Sequence, residues 1–305
     1  MFLPYRARIS LYRFPVLTLV ITLLCIGIYS AQYFNERAIV RSVVRFCNAP
    51  LDRDLAMTIK QIYGTANGHH CARLLGEIYH DPAETAAIER LAARAGVTPG
   101  VINGKLDGYY ADILRDAYDS FRRDTPPSLT ARLWYVPQSW NVGHMLTAAV
   151  AHASWGHLIG NLFFFFAFAA TIEVLLGPVL YLGVLLVLML GTHATYSLAT
   201  AFQSEASPTL GLSGVIMGII ALFTYFLPKV RIHCLLWLVV IFRRVAVPAW
   251  ILAAWYIGWD VFSQLKGEAG NVNLIAHLSG AALGLLLGIT VFRSKRHWAR
   301  ELVDD

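Results

Sequence analysis

Two polar side chains with complementary chemistry lie in apolar segments of this chain. Ser213 stands in the segment GLSGVIMG, and His277 stands in AHLSGAALG. A charged group at membrane depth costs about 2.5 kcal/mol or more on insertion scales, so ionisable residues there usually serve a function. A serine hydroxyl becomes a nucleophile when a base takes its proton, and histidine is the commonest base. The pair indicates hydrolysis inside a membrane.

A third apolar segment supplies hydrogen-bond donors. It begins HASWGHLIGN and contains His152, His157 and Asn161. His157 and Asn161 are four positions apart and therefore share one face of a helix. Peptide hydrolysis needs donors for the oxyanion of the tetrahedral intermediate, and both side chains can donate. The alternative is that they bond to the backbone of a neighbouring helix.

Small residues near the serine and the histidine are spaced so that helices can cross closely. These residues are Gly211, Gly214, Gly218, Gly280 and Gly284. A close crossing would bring the two candidate catalytic residues together. The alternative is ordinary small-residue packing around a structural serine.

A metal-dependent hydrolase is the main chemical alternative. His152 and His157 are separated by about 140° around a helix, so they do not face one metal ion. The sequence has no HExxH motif. A further polar cluster contains His69, His70, Cys71 and His80. Turn histidines explain that cluster more simply, and we expect neither a metal nor another cofactor.

The composition indicates which solvent surrounds these segments. The chain of 305 residues is 57% hydrophobic and 14% charged, and its mean hydropathy is +0.54. Soluble proteins are about 25% charged, and a spanning helix needs about 20 apolar residues. We therefore predict an all-α polytopic membrane protein with six spans. The apolar runs are 15–31, 154–176, 178–202, 213–227, 245–262 and 271–292.

Basic residues predict the orientation in the membrane. Basic clusters lie before the first run, between the fourth and fifth runs, and after the last. This pattern explains the net charge of +6 without a nucleic-acid partner. The predicted domains are a cytoplasmic tail (1–14), a first transmembrane helix (15–31), a mostly helical extracytoplasmic insert (32–140), a core of five helices (141–292) and a cytoplasmic basic tail (293–305).

The same topology predicts one depth for the candidate catalytic residues. The fourth and sixth runs both pass inward. Ser213 opens the fourth run, and His277 lies in the first third of the sixth. Both residues are therefore expected near the outer face.

Two apolar segments have alternative interpretations. The first run has a basic flank and could be a cleaved signal peptide, but no clean A-x-A site follows, which favours an uncleaved anchor. The run 232–242 is too short to span and is bracketed by basic residues. We predict an interfacial segment on the cytoplasmic face for it.

The insert has the apolar periodicity of a small helical domain. Helical spacing covers residues 51–63, 71–79, 83–95 and 101–121. Two of the four cysteines, Cys47 and Cys71, lie in this insert. An oxidising compartment would permit a disulfide between them, and two free thiols are the alternative.

The segments around His157, Ser213 and His277, in this order on successive apolar runs, resemble the rhomboid family of intramembrane serine proteases. The resemblance implies a dyad of Ser213 and His277 without an aspartate. It also implies an oxyanion hole formed by His157, Asn161 and the Ser213 backbone N–H, with His152 nearby. The implied partners are the lipid bilayer and single-span membrane proteins, cut near the outer surface where helix-breaking residues expose the backbone. We expect a bacterial inner membrane, with both termini cytoplasmic.

The chain departs from the family pattern at two places. Many members carry Trp-Arg in the first external loop, whereas here the stretch reads Gly143-His144 with Trp140 upstream. The position one turn after the serine is often aromatic. Here it is Met217, which can fill the same space. Glu173 also resembles a family position late in the second span.

Two other function classes compete with a protease. A catalytically silent relative that binds membrane clients would have lost the serine or the histidine, and this chain has both. A transporter would need charged residues at a midplane cavity or an inverted repeat. Glu173 and Asp260 are expected toward opposite ends of their spans, and no repeat is visible, so we favour the protease.

Overall fold

Helices form the greater part of the described chain, as its hydropathy predicts. The computed structural model describes residues 2–7, 14–79, 81, 83–96, 105–203, 206–238, 241–266, 273–297 and 299. The chain divides into two compact units. The first contains Met1–Ser30 and Arg132–Asp305, and the second contains Ala31–Ala131.

The regular elements follow one another in a simple order. They are β1 (Phe2–Ala7), α1 (Val16–Asn48), α2 (Arg53–Tyr63), α3 (Gly68–Tyr79), α4 (Glu84–Gly96), α5 (Lys105–Arg123), α6 (Leu129–Leu133), a 3-10 turn (Pro137–Ser139), α7 (Val142–Val150), α8 (Trp155–Leu176), α9 (Pro178–Ala199), α10 (Ser213–Phe226), β2 (Arg231–Leu238), β3 (Ile241–Pro248), α11 (Ala249–Lys266) and α12 (Leu274–Thr290).

Each of the six apolar runs contains a helix, namely α1, α8, α9, α10, α11 or α12. Among the described residues, α1, α8 and α9 are long and apolar enough to cross a membrane, and α10 and α12 are shorter apolar helices. The chain is a multi-pass membrane protein, as predicted. The number of six spans stays a prediction.

Local sequence signals set the ends of these helices. Gly177 ends α8 with φ of 78° and Pro178 begins α9, so these two residues form a tight turn between the helices. The Ser154 side chain accepts a hydrogen bond from the His157 N–H at the start of α8. Asn273 caps α12 in the same manner.

The buried carboxylate of Glu173 fixes the start of α1. Its two oxygens accept hydrogen bonds from the Leu17 N–H at 2.8 Å, the Thr18 N–H at 2.7 Å and the Thr18 hydroxyl at 2.7 Å. The first N–H groups of a helix lack intrahelical acceptors, and a helix N-terminus favours negative charge. Glu173 therefore stabilises a helix end, and this role differs from that of a transporter's ion ligand.

A small antiparallel sheet is the main feature that the sequence analysis did not predict. The described residues of the run 232–242 belong to β2 and β3, which pair with each other, and β1 pairs with the other edge of β2. The predicted run 245–262 also begins late, because its first residues belong to β3 and α11 starts at Ala249. The pairing satisfies backbone groups of a run too short to span.

The second unit is a helical domain with its own core. Helices α2 to α5 coincide with the four helices predicted from apolar spacing, except that residues 101–104 lie outside the described part. The core contains Leu55, Ile59, Leu74, Leu75, Ile78, Leu114 and Phe121. A disulfide joins Cys47 at the end of α1 to Cys71 of α3. Residues 132–140, which the sequence analysis assigned to the insert, belong to the first unit.

Candidate active site

Ser213 is the first residue of α10, and backbone hydrogen bonds fix the loop before it. Thr209 and Tyr135 exchange two backbone hydrogen bonds of 2.9 Å. Gly211 has φ of 121°, which L side chains rarely adopt, and Leu212 is fully buried. The first N–H groups of α10 point away from the helix body, so Ser213 lies at an electropositive helix end.

Close contact between α10 and α12 places His277 near Ser213. A Cβ added to Gly280 would lie 2.0 Å from the Gly214 carbonyl oxygen. A Cβ added to Gly214 would lie 3.0 Å from the carbonyl oxygen of Ala276. The backbones therefore touch at the residues that adjoin the serine and the histidine in sequence.

The second glycine pair extends this contact by one turn. A Cβ on Gly284 would lie 2.0 Å from the carbonyl oxygen of Gly218, and a Cβ on Gly218 would lie 2.9 Å from the carbonyl oxygen of Gly280. Neither distance leaves room for a side chain. Four of the five glycines singled out in the sequence, Gly214, Gly218, Gly280 and Gly284, thus form the crossing of α10 with α12, whereas Gly211 lies in the loop before α10.

The candidate catalytic residues line one pocket of about 630 Å³. Ser213 and His277 line it, and so do His157 and Asn161 of α8. Its remaining wall is largely apolar and includes Phe164, Ile216, Met217, Ile220, Trp255 and Tyr256. The candidate nucleophile, the candidate base and the two candidate hydrogen-bond donors therefore share one cavity.

Two side-chain nitrogens of α8 lie beside the loop that leads into α10. A Cβ on Gly211 would lie 2.9 Å from His157 Nε2 and 3.6 Å from Asn161 Nδ2. Asn161 Nδ2 is buried and has no hydrogen-bond partner within the described part of the chain. Such a donor costs about 1–3 kcal/mol if it stays unpaired, so an arriving negatively charged oxygen would be bound well.

The surroundings of His157 indicate which of its nitrogens carries hydrogen. The Ala153 N–H approaches His157 Nδ1 at 3.5 Å, at the long end of hydrogen-bond distances. When Nδ1 accepts, Nε2 of a neutral ring must be the donor. The donor then lies on the side of the ring next to Gly211.

His152 occupies a supporting position rather than a place in the pocket wall. Its ring centroid is 5.2 Å from that of His157, and its Nδ1 contacts the Val150 carbonyl oxygen at 3.2 Å. It is 1% exposed and is absent from the described residues that line the pocket. His152 therefore packs against the His157 ring.

The structure places one further residue in this site, and its role there was not predicted from the sequence. Asp260 of α11 lines the pocket, and its Oδ2 lies 2.9 Å from His277 Nδ1. Both side chains are 15% exposed. The available signal was a lone carboxylate within the apolar run 245–262. A pairing with a residue 17 positions away on another helix has no local periodicity that would reveal it.

Among the described residues no group of three or more histidine, cysteine or acidic side chains could hold a metal. His80, one member of the cluster considered above, lies outside those residues. His70 Nδ1 contacts the Thr65 carbonyl oxygen at 2.7 Å, and its ring stacks on Tyr63. This histidine has the contacts of a structural residue.

A comparison with known protein families covers the part of the chain that contains the pocket. A family model described as the Rhomboid domain matches residues 138–294. The mitochondrial RHOMBOID-like protein 12 of Arabidopsis thaliana is 26% identical over 156 residues, which are 47% of this chain and 44% of that protein. The chain thus aligns with less than half the length of this relative. No solved structure matches. Because the domain match covers half of the chain and includes every residue of the pocket, the chain belongs to the rhomboid family.

Proposed function

We propose that this chain is an intramembrane serine endopeptidase that cleaves single-span membrane proteins. The observation that carries the proposal is the convergence of Ser213, His277, His157 and Asn161 on one pocket. Membership in the rhomboid family supports either an intramembrane protease or an inactive rhomboid-like protein. The residues present supply the reason for an active member, since a silent relative has no need of a complete set.

Each polar group has one role in the proposed reaction. His277 takes the proton of the Ser213 hydroxyl while Oγ attacks the scissile carbonyl carbon. The carbonyl oxygen becomes an oxyanion and accepts hydrogen bonds from His157 Nε2, Asn161 Nδ2 and the Ser213 N–H. The C–N bond then breaks as the imidazolium returns the proton to the leaving amine. In the second half of the reaction His277 takes a proton from water, which attacks the acyl carbon. The ester bond to Ser213 then breaks, and the proton returns to the serine oxygen.

The length of α10 supports a site below the membrane surface. Its 14 residues extend about 21 Å, whereas the hydrocarbon core is about 30 Å thick. If the C-terminal end of α10 reaches one interface, Ser213 at its other end lies within the bilayer. A substrate helix must then expose its backbone at that depth, which favours segments with helix-breaking residues.

Basic residues and the disulfide indicate the orientation of the chain in its membrane. The basic clusters favour cytoplasmic termini, which puts the helical insert and the Ser213 end of α10 on the outer side. The disulfide between Cys47 and Cys71 favours an oxidising compartment for the insert. The bacterial inner membrane stays a prediction, and the Arabidopsis relative is named as mitochondrial.

The test is cleavage of a model single-span substrate by the purified chain in liposomes. Ser213→Ala and His277→Ala should each abolish cleavage, with similar losses, because the residues act as a unit. A fluorophosphonate probe should label the unmodified chain and leave Ser213→Ala unlabelled. Normal turnover by either variant would refute the assignment. An unmodified chain that neither cleaves nor reacts with the probe would instead be a client-binding relative.

A further inference from the structure

His277 has a partner that a two-residue mechanism does not require. Its Nδ1 lies 2.9 Å from the Oδ2 of Asp260, and both side chains are largely buried. Asp260 also lines the pocket that Ser213 lines. Three side chains of α10, α11 and α12 are therefore arranged around one cavity.

The chemistry of this contact fixes the hydrogen on the imidazole ring. A carboxylate has only acceptors, so a contact of 2.9 Å requires His277 Nδ1 to be the donor. The neutral ring then keeps the lone pair of Nε2, the nitrogen on the opposite side of the ring, free to accept a proton. This tautomer is the one that a general base needs.

Glu173, another buried carboxylate of the membrane helices, has different partners. Glu173 neutralises the start of α1 by accepting three hydrogen bonds from Leu17 and Thr18. Asp260 is instead bonded to a titratable ring inside the candidate active site. A carboxylate at membrane depth is costly, and a role in orienting His277 would explain why Asp260 is present there.

We propose that Asp260 is a positioning residue for His277, which this chain adds to the serine–histidine dyad. The inference rests on the proposed function. Asp260 holds His277 with hydrogen on Nδ1 and stabilises the imidazolium that forms when Nε2 takes the Ser213 proton. Asp260 itself takes no proton, and the proton returns from Nε2 to the leaving amine. The carboxylate therefore acts on the barrier to chemistry and not on substrate binding.

Kinetics of three substitutions at one position test this role. Asp260→Asn and Asp260→Ala should lower kcat by roughly 10²–10⁴ while KM changes by less than about threefold. Asp260→Glu, which keeps the charge on a longer side chain, should restore part of kcat. Covalent labelling of Ser213 by a fluorophosphonate should slow in parallel with kcat.

A matched variant separates positioning from mere stabilisation. Glu173→Gln also exchanges a buried carboxylate for an amide, but it lies outside the described lining of the pocket. It should lower thermal stability while kcat per folded molecule stays within about twofold of normal. If Asp260→Asn and Asp260→Ala behave in this way too, Asp260 only joins α11 to α12, and the inference is wrong.

The tautomer of His277 provides a test that does not need activity. Nitrogen NMR of a ¹⁵N-histidine-labelled chain in micelles, with His277→Ala to assign the signal, should show hydrogen on Nδ1. Hydrogen on Nε2 of the neutral ring would overturn the inference. If the unmodified chain cleaves and Ser213→Ala does not, but Asp260→Ala has normal kcat, the positioning role fails and the protease stands. If the unmodified chain is inert, the protease proposal fails and the positioning role fails with it.

Discussion

Gly280 of α12 lies directly against the backbone of Gly214 in α10, with space for hydrogen only. A Cβ at Gly280 would be 2.0 Å from the Gly214 carbonyl oxygen, far inside van der Waals contact. Because Gly214 follows Ser213 and Gly280 lies one turn after His277, this contact sets the distance between the proposed nucleophile and its base. The separation of the two side chains therefore depends on the absence of a methyl group.

Gly280→Ala should push α12 away from α10 and impair both stability and cleavage. Overpacking typically costs about 1–3 kcal/mol, and here the obstacle is backbone, which yields less readily than a side chain. Gly183→Ala is the matched control, because a Cβ there has nothing within 4 Å. Thermal unfolding in detergent and substrate cleavage should both fall for Gly280→Ala and be retained for Gly183→Ala. Equal stability and activity of the two variants would contradict the crossing.

Asn161→Leu should make the chain less active and no less stable. Leucine has a similar size but no donor, so the buried Nδ2 that lacks a partner disappears. Loss of one oxyanion donor typically lowers kcat by about 10²–10³, and KM should change little. The measurement is steady-state cleavage beside thermal unfolding. A normal kcat would remove Asn161 from the oxyanion hole, and a large fall in stability would give it a structural role.

Much of this architecture follows from local periodicity, and the exceptions have a physical cause. Apolar spacing predicted α2 to α5 and a helix in each membrane run, because each helix buries a face that repeats along its own sequence. Glycine spacing predicted a close helix crossing for the same reason. The pairing of β1 with β2 joins residues from distant parts of the chain, and short apolar runs have no periodicity that specifies it.

The difference between local periodicity and contacts between distant segments also explains which roles of individual residues could be predicted. Ser213 and His277 could be assigned to one site because topology alone predicts their depth. The contact of Asp260 with His277 and that of Glu173 with α1 depend on how helices pack, and each joins one side chain to another element. A lone carboxylate in an apolar run shows that a partner must exist, but not which partner it is.

Glu173→Gln should destabilise the chain through the start of α1. The amide loses the negative charge and one of the two acceptor oxygens that bind Leu17 and Thr18. Unpaired buried donors cost about 1–3 kcal/mol, which thermal unfolding in detergent should detect. Thr18→Val removes one of the same hydrogen bonds, so the double variant should lose less stability than the sum of the two singles. Strict additivity would show that the contact does not form.

The disulfide should stabilise the helical insert. Its cysteines are 24 positions apart, and closing a loop of this size is worth about 3 kcal/mol in the chain-entropy model. Reduction, or paired Cys47→Ala and Cys71→Ala substitutions, should make residues 31–131 more sensitive to protease. The insert is small and gains more from such a link than a large domain would. Protease resistance that does not change on reduction would contradict this contribution.

The same cysteines report the side of the membrane on which the insert lies. Cys25 and Cys234 are free thiols, although both are buried. Alanine at both positions removes any background labelling from them. In that variant an impermeant maleimide added to spheroplasts should label nothing at first, and should label Cys47 and Cys71 after a reductant is added. Labelling of both residues without reductant would refute the disulfide. Labelling that appears only after the membrane is broken, even with reductant, would put the insert on the cytoplasmic side. Because the insert follows the first membrane helix and precedes the other membrane helices, that result would also reverse the proposed outer position of Ser213.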